Sequence, residues 1–203
     1  LFGVRASEER GQGASRGDSF CFHGRGALPR DMIASQETIA ALATPVGTAA
    51  LAVVRVSGPG AAGLARRIFS KEPLPRVSRH ADYRSLSGEL LDDVVYTFYA
   101  GPRSYTGEDA LEISCHGNPF IAQRILEDLF ARGCRAAAPG EFTQRAFLGG
   151  RIDLSQAEAV MEMIEAGSAE GARAAAAAMD GALYRKIHAV AETLKALAGH
   201  IAA

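Results

Sequence analysis

Apolar residues run almost without interruption through 50–56 (ALAVVRV), a β-branched stretch bounded by Gly47 and by the turn Ser57-Gly58-Pro59-Gly60. Such a run predicts a buried strand and leaves Arg55 as a lone charge near its end. Residues 60–70 (GAAGLARRIFS) change to a helical period through Leu64, Ile68 and Phe69, and Pro73 and Pro75 then break the chain into a loop. Two weaker strands are predicted at 83–90 and 93–99. Alternation in 110–115 (ALEISC) predicts a further strand ending in His116-Gly117, with Glu112 pointing away from the face that Leu111 and Ile113 share.

Asn118 is placed to cap a helix that has Pro119 at its first position, apolar residues at Ile121, Ile125, Leu126 and Leu129, and Gly133 just past its end. Residues 134–138 predict a short returning strand, Pro139-Gly140 a turn, and 141–148 a short helix closed by Gly149-Gly150. Strands and helices joined by short links predict an α+β fold with a mixed sheet. After Asp153 the pattern is helical: Ser155 and Glu158 form a capping-box pattern opening a helix over 156–166, and Ser168 is placed to cap the next. From Leu183 the apolar positions continue at Ile187, Val190, Leu194, Leu197 and Ile201, a heptad-like stripe that calls for a packing partner. Three regions are therefore expected: a leader at 1–31, an N-terminal domain at 32–150, and the first part of an all-helical domain at 151–203.

With 203 residues, 48% of them hydrophobic, and a formal net charge of -1, the composition is that of an ordinary globular chain. Residues 1–31 are the exception; rich in Gly and Arg and lacking an apolar period, they are expected to be a disordered or non-native leader ahead of Met32 as the natural first residue. No stretch approaches the ~20 apolar residues of a membrane-spanning helix. Near-neutral charge also speaks against a dedicated nucleic-acid clamp. Cys21, Cys115 and Cys134 have neither C-x-x-C spacing nor an even count, so neither a zinc site nor a disulfide framework is expected, and a reducing cytoplasm fits best. His116 stands beside Cys115, but neighbours on a strand point to opposite faces and no third ligand is in register, so no metal site is expected.

Gly, charged and hydroxyl residues concentrate at 44–48 (TPVGT), 101–109 (GPRSYTGED), 112–118 (EISCHGN) and 139–153 (PGEFTQRAFLGGRID), between the predicted elements, where binding sites commonly lie. In this order and spacing they resemble the N-terminal part of the MnmE/TrmE family of tRNA modification GTPases. The resemblance runs from about Thr38 through TIAALATP, LAVVRVSGP, SYTGEDALEISCHGNP and PGEFTQRAFLGGRIDLSQAEAV into the helical stretch behind. It implies a folate-binding, dimer-forming N-terminal domain similar in fold to the aminomethyltransferases of glycine cleavage, followed by a helical domain into which a GTP-binding domain is inserted. The folate contacts carried over fall on Arg55, Glu112 and Arg151. A carboxylate suits the amino-pyrimidinone edge of a reduced pterin, and Arg suits the carboxylates of its tail. Many members have Lys where this chain has Arg151, and the loop at 46–50 lacks the basic residue common there.

For the full-length protein the resemblance implies addition of an aminomethyl or carboxymethylaminomethyl group to C5 of the wobble uridine of tRNA. This would proceed in a cytoplasmic homodimer with an FAD-dependent MnmG/GidA-type partner, using a one-carbon unit from 5-formyl-tetrahydrofolate or a related reduced folate, together with GTP and Mg and K ions. The GTPase fingerprint G-x-x-x-x-G-K-[ST] does not occur in these residues, so this chain alone is not expected to hydrolyse GTP, and none of its residues reads as a catalytic base or nucleophile. Two other readings are a stand-alone folate-dependent aminomethyltransferase and a dimerisation module without a ligand.

Overall fold

The computed structural model describes residues 37–201; the leader expected at 1–31, Cys21 and the start at Met32 lie outside the described residues. The elements follow in the order β1 (Ile39–Leu42), β2 (Leu51–Ser57), α1 (Ala61–Phe69), β3 (Ser78–Arg84), β4 (Leu90–Tyr99), β5 (Ala110–His116), α2 (Pro119–Ala131), β6 (Arg135–Ala136), α3 (Glu141–Leu148), α4 (Leu154–Glu165), α5 (Ala169–Met179) and α6 (Ala182–Ile201). The strands form one sheet in the order β3-β4-β5-β2-β1-β6. Among the described strands only β1 and β6 run parallel; the remaining pairs are antiparallel. The fold is α+β, a mixed sheet with helices, followed by helices.

Side-chain alternation divides the sheet into two unlike faces. Val54 and Val56 of β2, Leu111 and Ile113 of β5, and Tyr96 and Phe98 of β4 belong to one buried cluster with Leu64, Ile68 and Phe69 of α1 and Ile125 and Leu129 of α2. Phe69 stacks on Tyr96 with ring centroids 3.7 Å apart. Removing this much apolar surface from water is the main favourable term in holding the helices to the sheet. The residues between those core positions, Arg55 and Ser57, Glu112 and Ala110, and Thr97 and Tyr99, therefore share the other face. Register places them in two rows, Arg55 beside Glu112 beside Thr97, and Ser57 beside Ala110 beside Tyr99.

Helix α2 begins as the sequence predicts: Asn118 accepts a hydrogen bond from the Phe120 amide, and Pro119 occupies the first turn, where its missing N–H costs nothing. Two expectations need correction. The strand expected at 83–90 is β3 at Ser78–Arg84, while β4 extends from Leu90, earlier than the 93–99 expected. Residues 85–88 form the hairpin turn, in which Ser85 and Glu89 close the backbone and Gly88 has φ 87°. Only Tyr83 of β3 is fully buried, so this edge strand carries little hydrophobic signal to locate it. The capping box of α4 is built by Asp153 and Gln156, not Ser155 and Glu158: the Asp153 carboxylate accepts from the Gln156 amide at 2.9 Å and the Gln156 side chain accepts from the Asp153 amide at 2.9 Å. Ser155 donates its hydroxyl to the same carboxylate at 2.6 Å and is thereby occupied. Ser168 caps α5 as expected. On α6, Ile187, Val190, Leu194 and Leu197 are exposed; the side chains of Leu183 and Ile201 lie outside those described. Among the described residues, no helix is long and apolar enough to cross a membrane.

Candidate ligand-binding cleft

The polar face of the sheet forms the floor of a cleft of about 220 Å³, lined by Arg55, Ser57, Tyr99, Tyr105, Thr106, Ala110, Glu112 and Phe142. Five of these come from the two cross-strand rows. The other three are supplied by the loop after β4 and by α3, which closes over the sheet.

Two of the three residues predicted for the site are brought together at its centre. Arg55 Nε and Nη2 donate to Glu112 Oε1 at 2.9 and 2.7 Å. Both side chains are about 30% exposed, so the pair is half-buried between aromatic walls. The Arg55 guanidinium lies 5.6 Å from the ring centre of Tyr105 and 5.9 Å from that of Phe142, within cation–π range. Among the described residues Glu112 Oε2 is held only by a 3.3 Å contact from the Tyr99 hydroxyl, which leaves it able to accept further hydrogen bonds. Burial, and then the neighbouring Glu112 carboxylate, push the Tyr99 hydroxyl above its ordinary pKa, so it stays a donor at neutral pH. Arg151 is not among the lining residues. Its side chain crosses the loop at Gly107, where an added Cβ would lie 3.0 Å from Arg151 Cγ, and its guanidinium has no ion pair among the described residues.

An ionic network fixes the wall made by the loop and α3. Arg145, 7% exposed, donates to Glu141 Oε1 from Nη2 at 2.9 Å and to Glu108 Oε2 from Nη1 at 3.1 Å. Glu108 accepts the Ser57 hydroxyl at 2.8 Å, and Ser57 is 2.7 Å from the Thr106 hydroxyl. Ser104 bonds the Glu108 carbonyl and accepts from the Gly107 amide, and the Tyr105 and Thr143 hydroxyls meet at 2.9 Å. The loop at 101–109 is therefore tied to the sheet and to α3 at several points, which sets Tyr105 and Thr106 in place.

Tyr105 and Phe142 fall in the segments 101–109 and 139–153 that the sequence marks as candidate binding regions, though neither is singled out there, and Tyr99 lies outside both. Tyr99 was legible in principle, because it lies two residues beyond Thr97 on a strand whose intervening residue, Phe98, is core; the other two depend on a loop and a helix folding back over the sheet, which no local pattern encodes. His116 takes part in neither the cleft nor a metal site: its Nδ1 pairs with Asp92 at 2.7 Å, which raises its pKa. Cys115 is buried, donates weakly to the Ala52 carbonyl, and is pushed by burial up to about 11. No cluster of metal-ligating residues occurs among the described residues.

The fold and cleft define the chain by class: an α+β sheet module with helices packed on one face and a polar, aromatic-walled cleft on the other, continuing into helices. Residues 38–151 match the family model for the N-terminus of the GTP-binding protein TrmE, and the chain belongs to that family. Among its relatives are proteins described as tRNA modification GTPase MnmE. That of Opitutus terrae is 58% identical over 155 residues, covering 76% of this chain and 34% of the relative. Those of Sodalis glossinidius and Stutzerimonas stutzeri are 45% and 42% identical, covering 79% and 80% of this chain and 35% and 36% of the relatives. The chain thus spans about a third of the length of the curated relatives it matches.

Proposed function

We propose that this chain is the reduced-folate-binding and dimer-forming part of a tRNA modification GTPase. In that reading the whole protein, a cytoplasmic homodimer, works with an FAD-dependent partner to add an aminomethyl or carboxymethylaminomethyl group to C5 of the wobble uridine of tRNA. The folate supplies the one-carbon unit when bound, and GTP hydrolysis belongs to a region beyond these residues. The folate-binding and dimer-forming region corresponds to 32–150, and the start of a helical domain to 151–203.

The observation that carries the reading is the Arg55–Glu112 pair set between Tyr99, Tyr105 and Phe142. A pterin head is flat, polar along its edges and aromatic on its faces, and its amino-pyrimidinone edge presents N–H donors. Glu112, with Oε2 weakly held, has acceptor capacity for that edge, and the three rings offer stacking surfaces. Arg55 orients Glu112 through two hydrogen bonds to Oε1. Arg151, reaching over Gly107, is available to an anionic group of the ligand.

Titration of 5-formyl-tetrahydrofolate into the chain, followed by calorimetry, tests this directly; saturable binding at one site per chain is the expected result. A second reading, a dimerisation module without a ligand, draws on the fact that Arg55 and Glu112 satisfy one another. Heat no greater than that of ligand dilution, from a chain that scatters light as a dimer, would establish that reading instead.

A further inference from the structure

The cleft is too small for a whole folate. Drug-sized ligands occupy pockets of roughly 300–1,000 Å³, whereas this one holds about 220 Å³. A bicyclic head fills it, and the p-aminobenzoyl-glutamate portion must run out along the mouth. Arg55 cannot follow it there, being engaged by Glu112.

At the Tyr99 end of the mouth lie two arginines, Arg76 and Arg103, that have no carboxylate partner among the described residues. The Arg76 amide donates to the Phe98 carbonyl at 2.7 Å, which lays Arg76 alongside β4 next to Tyr99. Its Nη2 donates to the Arg103 carbonyl at 3.1 Å. Arg103 lies in the short connection between Tyr99 and Tyr105, both of which line the cleft. Both arginines are exposed, and Arg76 holds φ 61°, an uncommon backbone state for a non-glycine residue. Elsewhere Arg66, Arg84, Arg124, Arg132 and Arg135 each pair with a carboxylate. The positive field of Arg76 also reaches Tyr99, where it opposes the rise in that hydroxyl's pKa. Arg76 and Arg103 therefore bring two positive charges beside a cleft whose own Arg55 is paired with Glu112, while the Asp109 carboxylate of the same loop is held by the Gly101 amide.

Resting on the folate reading above, the geometry points to a second anion-binding element: Arg76 and Arg103 receive carboxylates of a polyanionic tail, so the preferred ligand is a reduced folate carrying a γ-linked oligoglutamate chain. A single glutamate offers two carboxylates at the tail's start; each added γ-linked residue offers one more, farther along the rim. Because both arginines are exposed, each contact is modest and screened by salt.

The test compares 5-formyl-tetrahydrofolate as the monoglutamate and as the pentaglutamate, by calorimetry on the 203-residue chain. The pentaglutamate should bind roughly five- to tenfold more tightly at low salt, with the advantage shrinking as salt rises. Arg76→Gln combined with Arg103→Gln should abolish the advantage, with an unchanged urea-unfolding midpoint certifying an intact fold. Equal affinity for the two ligands in the unaltered chain overturns the inference, as does an advantage that survives the double substitution or is lost instead in Arg151→Gln. Binding of neither ligand would remove the folate reading and this element with it, whereas binding of both without preference removes this element alone.

Discussion

At the scale of single residues, the cleft depends on one pair. Arg55 and Glu112 sit opposite each other in register on neighbouring antiparallel strands, so the sheet itself brings them together. Their half-exposed ion pair is worth at most about 1 kcal/mol of stability, and on the proposed folate reading its weight lies in the acceptor that Glu112 offers the ligand. Replacing Glu112 by Gln preserves shape but gives up a charged acceptor; a charge-assisted hydrogen bond is worth roughly 1.5 to 3 kcal/mol, so affinity for 5-formyl-tetrahydrofolate should fall about ten- to a hundredfold. Arg55→Ala should weaken binding comparably. Because the two act as a unit, the double variant should lose little more than either single one. Additive losses, measured by calorimetry, would show that the residues bind separate parts of the ligand.

At the scale of elements, much was legible from the chain and the exceptions have physical causes. β2, β5 and α2 announce themselves because burial on one side and capping chemistry leave strong local patterns. β3 does not, since an edge strand with one fully buried side chain has almost no apolar period. The pairing of Arg55 with Glu112 required register, which follows from the tertiary arrangement of β2 and β5 and not from either strand alone. Register also explains the glycine after β5. Gly117 exchanges backbone hydrogen bonds with Ala49 and Ala50, and a Cβ there would lie 2.3 Å from the Ala49 carbonyl oxygen. Gly117→Ala must push the backbone apart and should cost roughly 1 to 3 kcal/mol in urea unfolding. Gly63→Ala on α1, where nothing lies within 4 Å, serves as the control and should be neutral or stabilising by about 0.5 to 1 kcal/mol. Equal effects of the two substitutions would refute the close-approach account.

At the scale of the whole molecule, two features govern behaviour in solution. The first is the apolar stripe on α6, where Ile187, Val190, Leu194 and Leu197 are each 57–60% exposed. A stripe of this length in water favours association, so light scattering at tens of micromolar should detect more than monomer, and Leu194→Glu with Leu197→Glu should reduce it. A chain that remains monomeric at that concentration would show the stripe to be tolerated.

The second feature is the ionic network that joins distant parts of the fold, and it gives stability a definite dependence on acid. Arg135 donates to Glu37 ahead of β1 at 2.8 Å and to Glu141 on α3 at 2.7 Å; Arg145 carries the connection on to Glu108 in the loop over the cleft. Glu141 is the hub. The hydrogen bonds from Arg135, with help from the Ala138 amide and Arg145 and against the opposing effect of burial, hold its carboxyl down to about 2 from an ordinary 4.5. A group whose folded pKa is depressed lends its full stabilisation above the unfolded value and loses it as pH falls through the folded one. Glu141 therefore contributes fully above about pH 4.5 and progressively less down to about pH 2. Because the Arg135 side chain is 40% exposed and its share is screened, the contribution is taken as roughly 2 kcal/mol, below what the full shift would give. Urea unfolding of the chain and of Glu141→Gln should then differ by about that amount at pH 6, and the gap should close between pH 4.5 and 2 as the Glu141 carboxylate takes up its proton. Carboxylates outside this network have the same surroundings in both proteins and cancel in the difference. A gap that stays constant across this window would mean that Glu141 stabilises the fold by shape and hydrogen bonding alone, with its charge contributing nothing.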